Sequence, residues 1–215
     1  MTDDPLTLTP ELLLQAYSVG IFPMGSDGSD EELYWVDPHE RGIIPLDDFH
    51  VSRSLRKTIR RGGFDVRVDH DFAAMMRDCA ARKETWINDT IHDLYGALHA
   101  RGAAHSVEVW RGTARIGGLY GVSIGGAFFG ESMCSHEPDA SKIALVWLVA
   151  RLRAGGFRLL DTQFTTTHLA SMGGIGITRA KYHAQLQTAL QHRADFDALD
   201  DGADAEQILG LAQPG

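Results

Sequence analysis

Two strand-like segments end in polar residues where apolar ones are the rule. Glu131 directly follows the apolar run Ala127-Phe-Phe-Gly130, and Asp161 closes Arg158-Leu-Leu-Asp161. A carboxylate in such a setting needs a partner or a task, because a buried unpaired charge is costly. Gln163 lies two residues past Asp161, so on a strand the two side chains share a face. The carboxylate can then orient the Gln amide, whose oxygen can accept from an attacking amine. The alternative is a structural hydrogen-bonded pair that caps the next turn. Cys134 is a nucleophile by type, yet nothing in the sequence places a base beside it, and a small buried apolar residue is the other reading. His136 follows Cys134 by two with no second pair to complete a tetrahedral site, so no metal is expected. The run Gly117-Gly-Leu-Tyr-Gly-Val-Ser-Ile-Gly-Gly126 neither opens a helix nor precedes Lys-Ser/Thr, so it is no phosphate cradle. Its glycines mark a close approach of another backbone or ligand, or a sharply bulged hairpin.

A second cluster is cationic. Arg53, Arg56, Lys57, Arg60 and Arg61 fall at helical offsets 0, 3, 4, 7 and 8, with Leu55 and Ile59 on another face to dock the helix. Five aligned like charges call for an anion, and a nucleic-acid phosphate backbone supplies one; local pairing with Asp47, Asp48 or Asp65 is the alternative. The whole chain of 215 residues has a net charge of −9, but the acidity sits at its ends. Residues 1–40 carry nine acids and residues 195–215 carry six, with no Lys or Arg in either stretch. That leaves 14 acids against 20 bases in residues 41–194, a net of +6. Tyr17, Trp35 and Trp86 sit beside loops, where an aromatic can either pack in the core or stack on a nucleobase.

The elements that must position these groups follow from periodicity. Thr9-Pro10-Glu11 starts a helix that Gly20 ends, and residues 50–61 form the basic helix, closed by Gly62-Gly63. Short strands are expected at 34–36 and 42–45, and a further strand at 64–68 precedes helices at 70–81 and 89–100. Strands at 106–110, 114–123 and 127–133 form a meander, followed by a helix at 139–154, a strand at 158–161 and helices at 168–172 and 178–193. The acidic segment from Asp195 shows no strong apolar pattern and is expected to be loose at least to Gln207. The class is α+β. A long antiparallel hairpin feeding a helix and another strand resembles the core of GNAT-like acyltransferases, whose sheet splays open to admit an acyl donor. No apolar run is long enough to span a bilayer, two Cys suit a reducing compartment, and the acidic start lacks a signal-peptide layout, so a cytoplasmic protein without a membrane partner is expected.

Eight motifs in order carry a specific resemblance: Ala16-Tyr-Ser-Val-Gly-Ile-Phe-Pro23, His50-Val-Ser-Arg-Ser54, Thr85-Trp86-Ile87, His105-Ser-Val-Glu-Val-Trp110, Gly117-Gly-Leu-Tyr-Gly-Val122, Phe129-Gly-Glu-Ser-Met133, Asp139-Ala-Ser-Lys142 and Leu160-Asp-Thr-Gln163. Over residues 9 to about 190 the chain resembles the leucyl/phenylalanyl-tRNA–protein transferase family. The resemblance implies a small N-terminal domain, placed here at 1–62, a GNAT-like domain at 63–194 with a mainly antiparallel sheet, and the acidic tail at 195–215. It implies transfer of Leu or Phe, and less well Met, from Leu-tRNA or Phe-tRNA to proteins with N-terminal Arg or Lys. The product is marked for degradation, no cofactor is used, and the enzyme is expected to act as a monomer. By the same resemblance Asp161 and Gln163 assist the attacking amine, and Glu131 belongs to that site. Arg53, Arg56, Lys57, Arg60 and Arg61 face the tRNA acceptor stem, and Tyr17, Trp86 and Tyr95 lie near its 3′ end. Met24 stands where many relatives carry Trp and offers a softer apolar contact. Leu119, Met133, Leu145, Leu148 and Phe128 form the pocket for the transferred side chain. A GNAT-like enzyme using acyl-CoA and a non-catalytic RNA-binding adaptor are the competing readings; against the first, Ser135–Ser141 has no Gly-rich pyrophosphate cradle.

Overall fold

Thr9 opens the first helix as expected: its side chain accepts from the Leu12 amide, and Pro10 takes the first turn. The computed structural model describes residues 8–25, 33–81, 85 and 87–213. Along them run α1 (Pro10–Ser18), β1 (Phe22–Gly25), β2 (Leu33–Val36), β3 (Glu40–Ile44), α2 (Arg53–Arg61), β4 (Asp65–Val68), α3 (Phe72–Ala80) and α4 (Asp89–Ala100). Then come β5 (Ala104–Arg111), β6 (Ala114–Ile124), β7 (Ala127–Ser135), α5 (Ala140–Ala154), β8 (Leu159–Gln163), α6 (Thr167–Ala170), β9 (Ile175–Thr178), α7 (Arg179–Leu190) and α8 (Ala205–Ala212).

Strands β1 and β2 pair with each other, and the other seven form one sheet in the order β4-β5-β6-β7-β8-β3-β9. Every neighbouring pair in that sheet is antiparallel except β7 and β8, which α5 connects as a crossover. Helices cover both faces. Leu119, Phe128 and Leu160 pack with α2, α5 and α8 on one side; Tyr120, Phe129 and Leu159 pack with α1, α3, α4 and α7 on the other. Eleven of the 15 residues of α5 are buried, so it is the central helix of its face.

Two β-bulges shape the middle of the sheet. Gly121 pairs with Gly130 and Tyr120 with Ser132, which leaves Glu131 as the extra residue of β7. Gly42 pairs with Gln163 and Ile43 with Asp161, which leaves Thr162 as the extra residue of β8. A one-residue slip reverses the side-chain alternation. Phe129 therefore joins the core under α3 and α4, while Met133 joins the core under α5. Parallel pairing of β7 with β8 covers Ala127, Phe128 and Phe129 and goes no further, so the strands part where the two bulges begin. Glycine is required at this fork: a Cβ on Gly121 would lie 2.3 Å from the Phe129 carbonyl oxygen, and one on Gly42 would lie 2.4 Å from the Phe164 carbonyl carbon. The Gly-rich run is thus both a bulged hairpin and a close-approach surface.

Two expectations are corrected. The acidic segment is packed, not loose. Phe196 stacks at 4.0 Å from the His105 ring and 5.6 Å from Phe128, and Ile208, Leu209 and Ala212 are buried against the α5 side. Asp204 caps α8 by accepting from the Glu206 and Gln207 amides. The acids remain outside and meet the basic body, as Arg60–Glu206 and Arg151–Asp201 ion pairs. A short stripe at 208, 209 and 212 is enough to dock a helix that net charge had disguised. The second correction concerns residue 62: β3 belongs to the large sheet and α2 covers its α5 face, so the sheet domain takes in the chain from Glu40 onward.

Candidate active site

The fork between β7 and β8 gathers the polar residues singled out above. Glu131 and Gln163 are each 8% exposed and Asp161 is fully buried. Glu131 Oε1 accepts from Tyr17 Oη at 2.7 Å and from Gln163 Nε2 at 3.0 Å; its Oε2 accepts from Tyr95 Oη at 3.0 Å. The two tyrosine hydroxyls also touch each other. Burial pushes the Glu131 carboxyl up to about 7; the bonds from Tyr17, Tyr95 and Gln163 pull it down, and the nearby Asp161 charge pushes it up. Burial, and then the Glu131 charge, hold both phenols far above their usual range, so both keep their protons at neutral pH.

Asp161 is committed elsewhere. Arg41, itself 1% exposed, donates to it from Nε at 3.0 Å and from Nη2 at 2.6 Å, and Tyr182 Oη donates at 2.6 Å. Arg41 also donates from Nη1 to the Gly20 carbonyl at 3.0 Å and lies between the rings of Phe22 and Tyr182, 4.5 and 4.4 Å from their centres. Sequence reading missed Arg41; its signal was a cation entering the apolar strand segment Arg41-Gly-Ile-Ile44. The Asp161–Gln163 link differs from the expected one. Asp161 Oδ1 accepts from the Gln163 main-chain amide at 2.7 Å, while the Gln163 side chain crosses the fork to Glu131. The reason is the bulge at Thr162 together with a left-handed backbone at Gln163, φ 62°, which breaks strand alternation there. Gln163 Oε1 has no hydrogen-bond partner among the described residues, and it is not among the buried atoms that lack one.

A cavity of about 290 Å³ opens beside this network. Leu119, Met133, Leu145 and Leu148 line it, Leu160 and Leu169 extend the apolar wall, and Glu131 stands at its edge. Thr162, Thr166 and His168 also border it and were not singled out in the sequence. Burial, and then Lys142, hold the His168 imidazole below its usual range against the opposing pull of Asp139. Phe128 does not line the cavity: it lies on the same face as Met133 but is fully buried against Phe196, on which it stacks. A larger groove of about 710 Å³ lies at the start of β8, between Arg158, Leu159 and Pro45, away from these groups.

The remaining expected residues are spread more widely. Arg53, Lys57, Arg60 and Arg61 are exposed on α2, but Arg60 is held by Glu206, from Nε at 2.7 Å. Arg56 is half-buried and donates to the Val51 carbonyl and to Gln213. Tyr17 and Tyr95 are fully buried, so neither offers a ring face to a nucleobase; their hydroxyls serve Glu131 instead. Met24 lies on β1 opposite Tyr34 and is partly buried. Trp86 lies outside the described residues. Ligand atoms of Asp78, Cys134 and His136 lie within 4.8 Å of one another, but Arg115 Nε already donates to Asp78 Oδ2 at 2.8 Å. Among the described residues no helix is long and apolar enough to cross a membrane.

The large sheet thus forks at its parallel pair, with an apolar cavity and a buried carboxylate network in the gap, an arrangement of the mixed α and β class. The chain matches the family model described as leucyl/phenylalanyl-tRNA protein transferase over residues 43–187, and that of the family's N-terminal domain over residues 7–39. It is 56% identical over 205 residues to the leucyl/phenylalanyl-tRNA–protein transferase of Cereibacter sphaeroides strain ATCC 17029, covering 95% of this chain and 96% of that one. It is 56% identical over 208 residues to the same enzyme of Ruegeria pomeroyi, covering 97% and 99%. A solved structure of L-PGS from Bacillus licheniformis aligns with TM-score 0.41 and 16% identity, over 75% of this chain and 55% of that one. The chain belongs to the leucyl/phenylalanyl-tRNA–protein transferase family and is an aminoacyltransferase.

Proposed function

We propose that this enzyme moves Leu or Phe, and less well Met, from aminoacyl-tRNA to the α-amino group of proteins beginning with Arg or Lys. The modified terminus then marks the protein for proteolysis in the cytoplasm. The observation that carries this reading is the apolar cavity at the fork, which abuts Glu131, to which Gln163 is hydrogen-bonded. Its size, at the low end for small-ligand clefts, suits one apolar side chain, and such a slot selects by size more than by chemistry.

An aminoacyl ester is already activated, so the enzyme's main task is to align ester and amine. Leu119, Met133, Leu145 and Leu148 hold the donor side chain. Gln163 Oε1 accepts a hydrogen bond from the incoming amine. Asp161 acts behind it, fixing the Gln163 backbone through the 2.7 Å bond and being fixed in turn by Arg41. The Glu131 carboxylate favours a cationic acceptor terminus, since Asp161 is already paired with Arg41. Arg53, Lys57 and Arg61 on α2 bind the phosphates of the acceptor stem, with Arg56 and Arg60 as more constrained neighbours, and Met24 and Trp86 lie near the tRNA 3′ end. The enzyme acts as a monomer without metal or coenzyme.

Transfer of radiolabelled Leu from Leu-tRNA to a protein with N-terminal Arg, beside the same protein with N-terminal Ala, tests this. Label on the Arg protein alone is expected. Equal labelling of both sinks the acceptor rule, and tRNA binding without any transfer sinks the catalytic reading.

A further inference from the structure

We propose that Glu131 is the group that takes the proton from the acceptor amine, and that Tyr17 and Tyr95 hold its carboxyl so that it can carry and release that proton in place. This deepens the transfer reading above and rests on it.

Three side chains make a closed triangle of oxygen contacts: Tyr17 Oη to Glu131 Oε1 at 2.7 Å, Tyr95 Oη to Glu131 Oε2 at 3.0 Å, and hydroxyl to hydroxyl. The two phenols bring two protons. When Glu131 is ionised, both hydroxyls donate to it, as charge-assisted bonds. When Glu131 is protonated, a third proton closes the circuit: Glu131 donates to Tyr17, Tyr17 to Tyr95, and Tyr95 back to Glu131. The same oxygens satisfy both proton counts with no side chain displaced. Both tyrosines are fully buried, so solvent does not substitute for either hydroxyl.

Asp161 does not fit this task. It is fully buried, and its oxygens already accept from Arg41, Tyr182 and the Gln163 amide. Gln163 has no useful basicity and serves to aim the amine. Glu131 borders the donor cavity and is tied to Gln163, which places it beside both reactants. In the step itself the amine nitrogen bonds to the ester carbonyl carbon and the bond to the ribose 3′ oxygen breaks. The surplus proton on nitrogen passes to Glu131 and from there to the departing oxygen. The products are the peptide and a free ribose hydroxyl, with Glu131 restored.

The groups facing Glu131 come from every side of the fork: Tyr17 on α1, Tyr95 on α4, Asp161 on β8 with Arg41 on β3 behind it, and Tyr120 and His168 on the same cavity wall. The balance of burial and donors leaves the carboxyl near 7, where both proton counts are populated at physiological pH.

The test is the pH dependence of kcat/KM for Leu transfer from Leu-tRNA to an Arg-initiated peptide, for wild type, Glu131→Gln, Tyr17→Phe and Tyr95→Phe, with thermal melts as folding controls. Wild-type activity is expected to rise through an ionisation near 7. Glu131→Gln should lose that limb and fall on the order of 10²–10³-fold. Each Phe variant should keep the limb but move it roughly one pH unit higher, since each removes a bond donated to the ionised form. The acceptor α-amine titrates at about 7.7–8.0. A limb that survives Glu131→Gln, or stays in place in both Phe variants, belongs to that amine and overturns the proposal. If Glu131→Gln does not fold, the Phe variants decide alone. No transfer by the wild type overturns the transferase reading with it; wild-type transfer with an unmoved limb overturns only the proton assignment.

Discussion

Replacing Arg41 by Met removes one half of a fully buried ion pair and keeps most of the side-chain volume. Arg41 makes three hydrogen bonds to Asp161, from Nε at 3.0 and 3.2 Å and from Nη2 at 2.6 Å, and one to the Gly20 carbonyl. Its removal leaves Asp161 with Tyr182 and the Gln163 amide as donors, at 2.6 and 2.7 Å, and no counter-charge. Breaking a buried pair from one side costs about 3–5 kcal/mol. Against a total stability on the order of 5–15 kcal/mol that is roughly a fifth or more, equivalent to a fall in Tm of roughly 10 °C for a chain of this size. Urea unfolding of wild type, Arg41→Met, Asp161→Asn and the double variant measures it. The double variant should recover part of the loss, because Asn still accepts from Tyr182 and the Gln163 amide but carries no charge. A cost below about 1 kcal/mol for Arg41→Met, or strictly additive effects, would refute the view that this pair anchors the fork.

Three more outcomes are expected. Leu148→Phe narrows the donor cavity, so Phe transfer should fall relative to Leu transfer by about tenfold or more; an unchanged ratio of the two kcat/KM values counts against Leu148 as a wall. Changing Arg53, Lys57 and Arg61 together to Ala should flatten the salt dependence of tRNA binding, by a slope of roughly 2–3, without lowering Tm, whereas Arg60→Ala should do less because Glu206 already engages it; an unaltered slope rules out α2 as a phosphate contact. Glu131 also sets a pH dependence of stability. Its carboxyl lies near 7 when folded against 4.5 ordinarily, so folding favours the protonated form. That contribution is fully present below about 4.5 and is lost as pH rises through 7, a span on the order of 3 kcal/mol. Glu131→Gln should lack this slope and exceed wild type in urea stability at pH 8; parallel pH profiles would contradict it.

The network around Glu131 explains why the fork is stable before substrates arrive. A carboxyl that burial alone would keep neutral is offered three donors from three elements, and one of them, Gln163, is held through its main-chain amide by Asp161 of the buried Arg41–Asp161 pair. The N-terminal helix contributes directly to this through Tyr17, and Gly20 through its carbonyl to Arg41. The part of the chain outside the large sheet is thus tied to the polar network at the fork, so loosening α1 should disturb both carboxylates together.

The sequence by itself determined most elements and the identity of the central groups. Period placed α1, α4 and α5 within a residue or so, and Thr9 with Pro10 marked the start of α1 because a cap is a local signal that acts over one helical turn. Glu131, Asp161 and Gln163 stood out since a polar residue ending an apolar strand is anomalous wherever it lies. Packing was harder to read. The acidic tail conceals its three-residue apolar stripe, and only contact with α5 makes that stripe a helix. Arg41 is visible as a residue but not as the partner of Asp161, because the pair is 120 positions apart and is joined by strand pairing. Tyr17 and Tyr95 illustrate the same limit: their types suited a stacking surface, and burial on α1 and α4 turned their hydroxyls to Glu131. Above all, the tertiary structure decided the two bulges. An inserted residue leaves no mark in local pattern, since it exists only relative to the neighbouring strand. With the left-handed backbone at Gln163, the bulges decide which face Glu131, Met133 and Gln163 present.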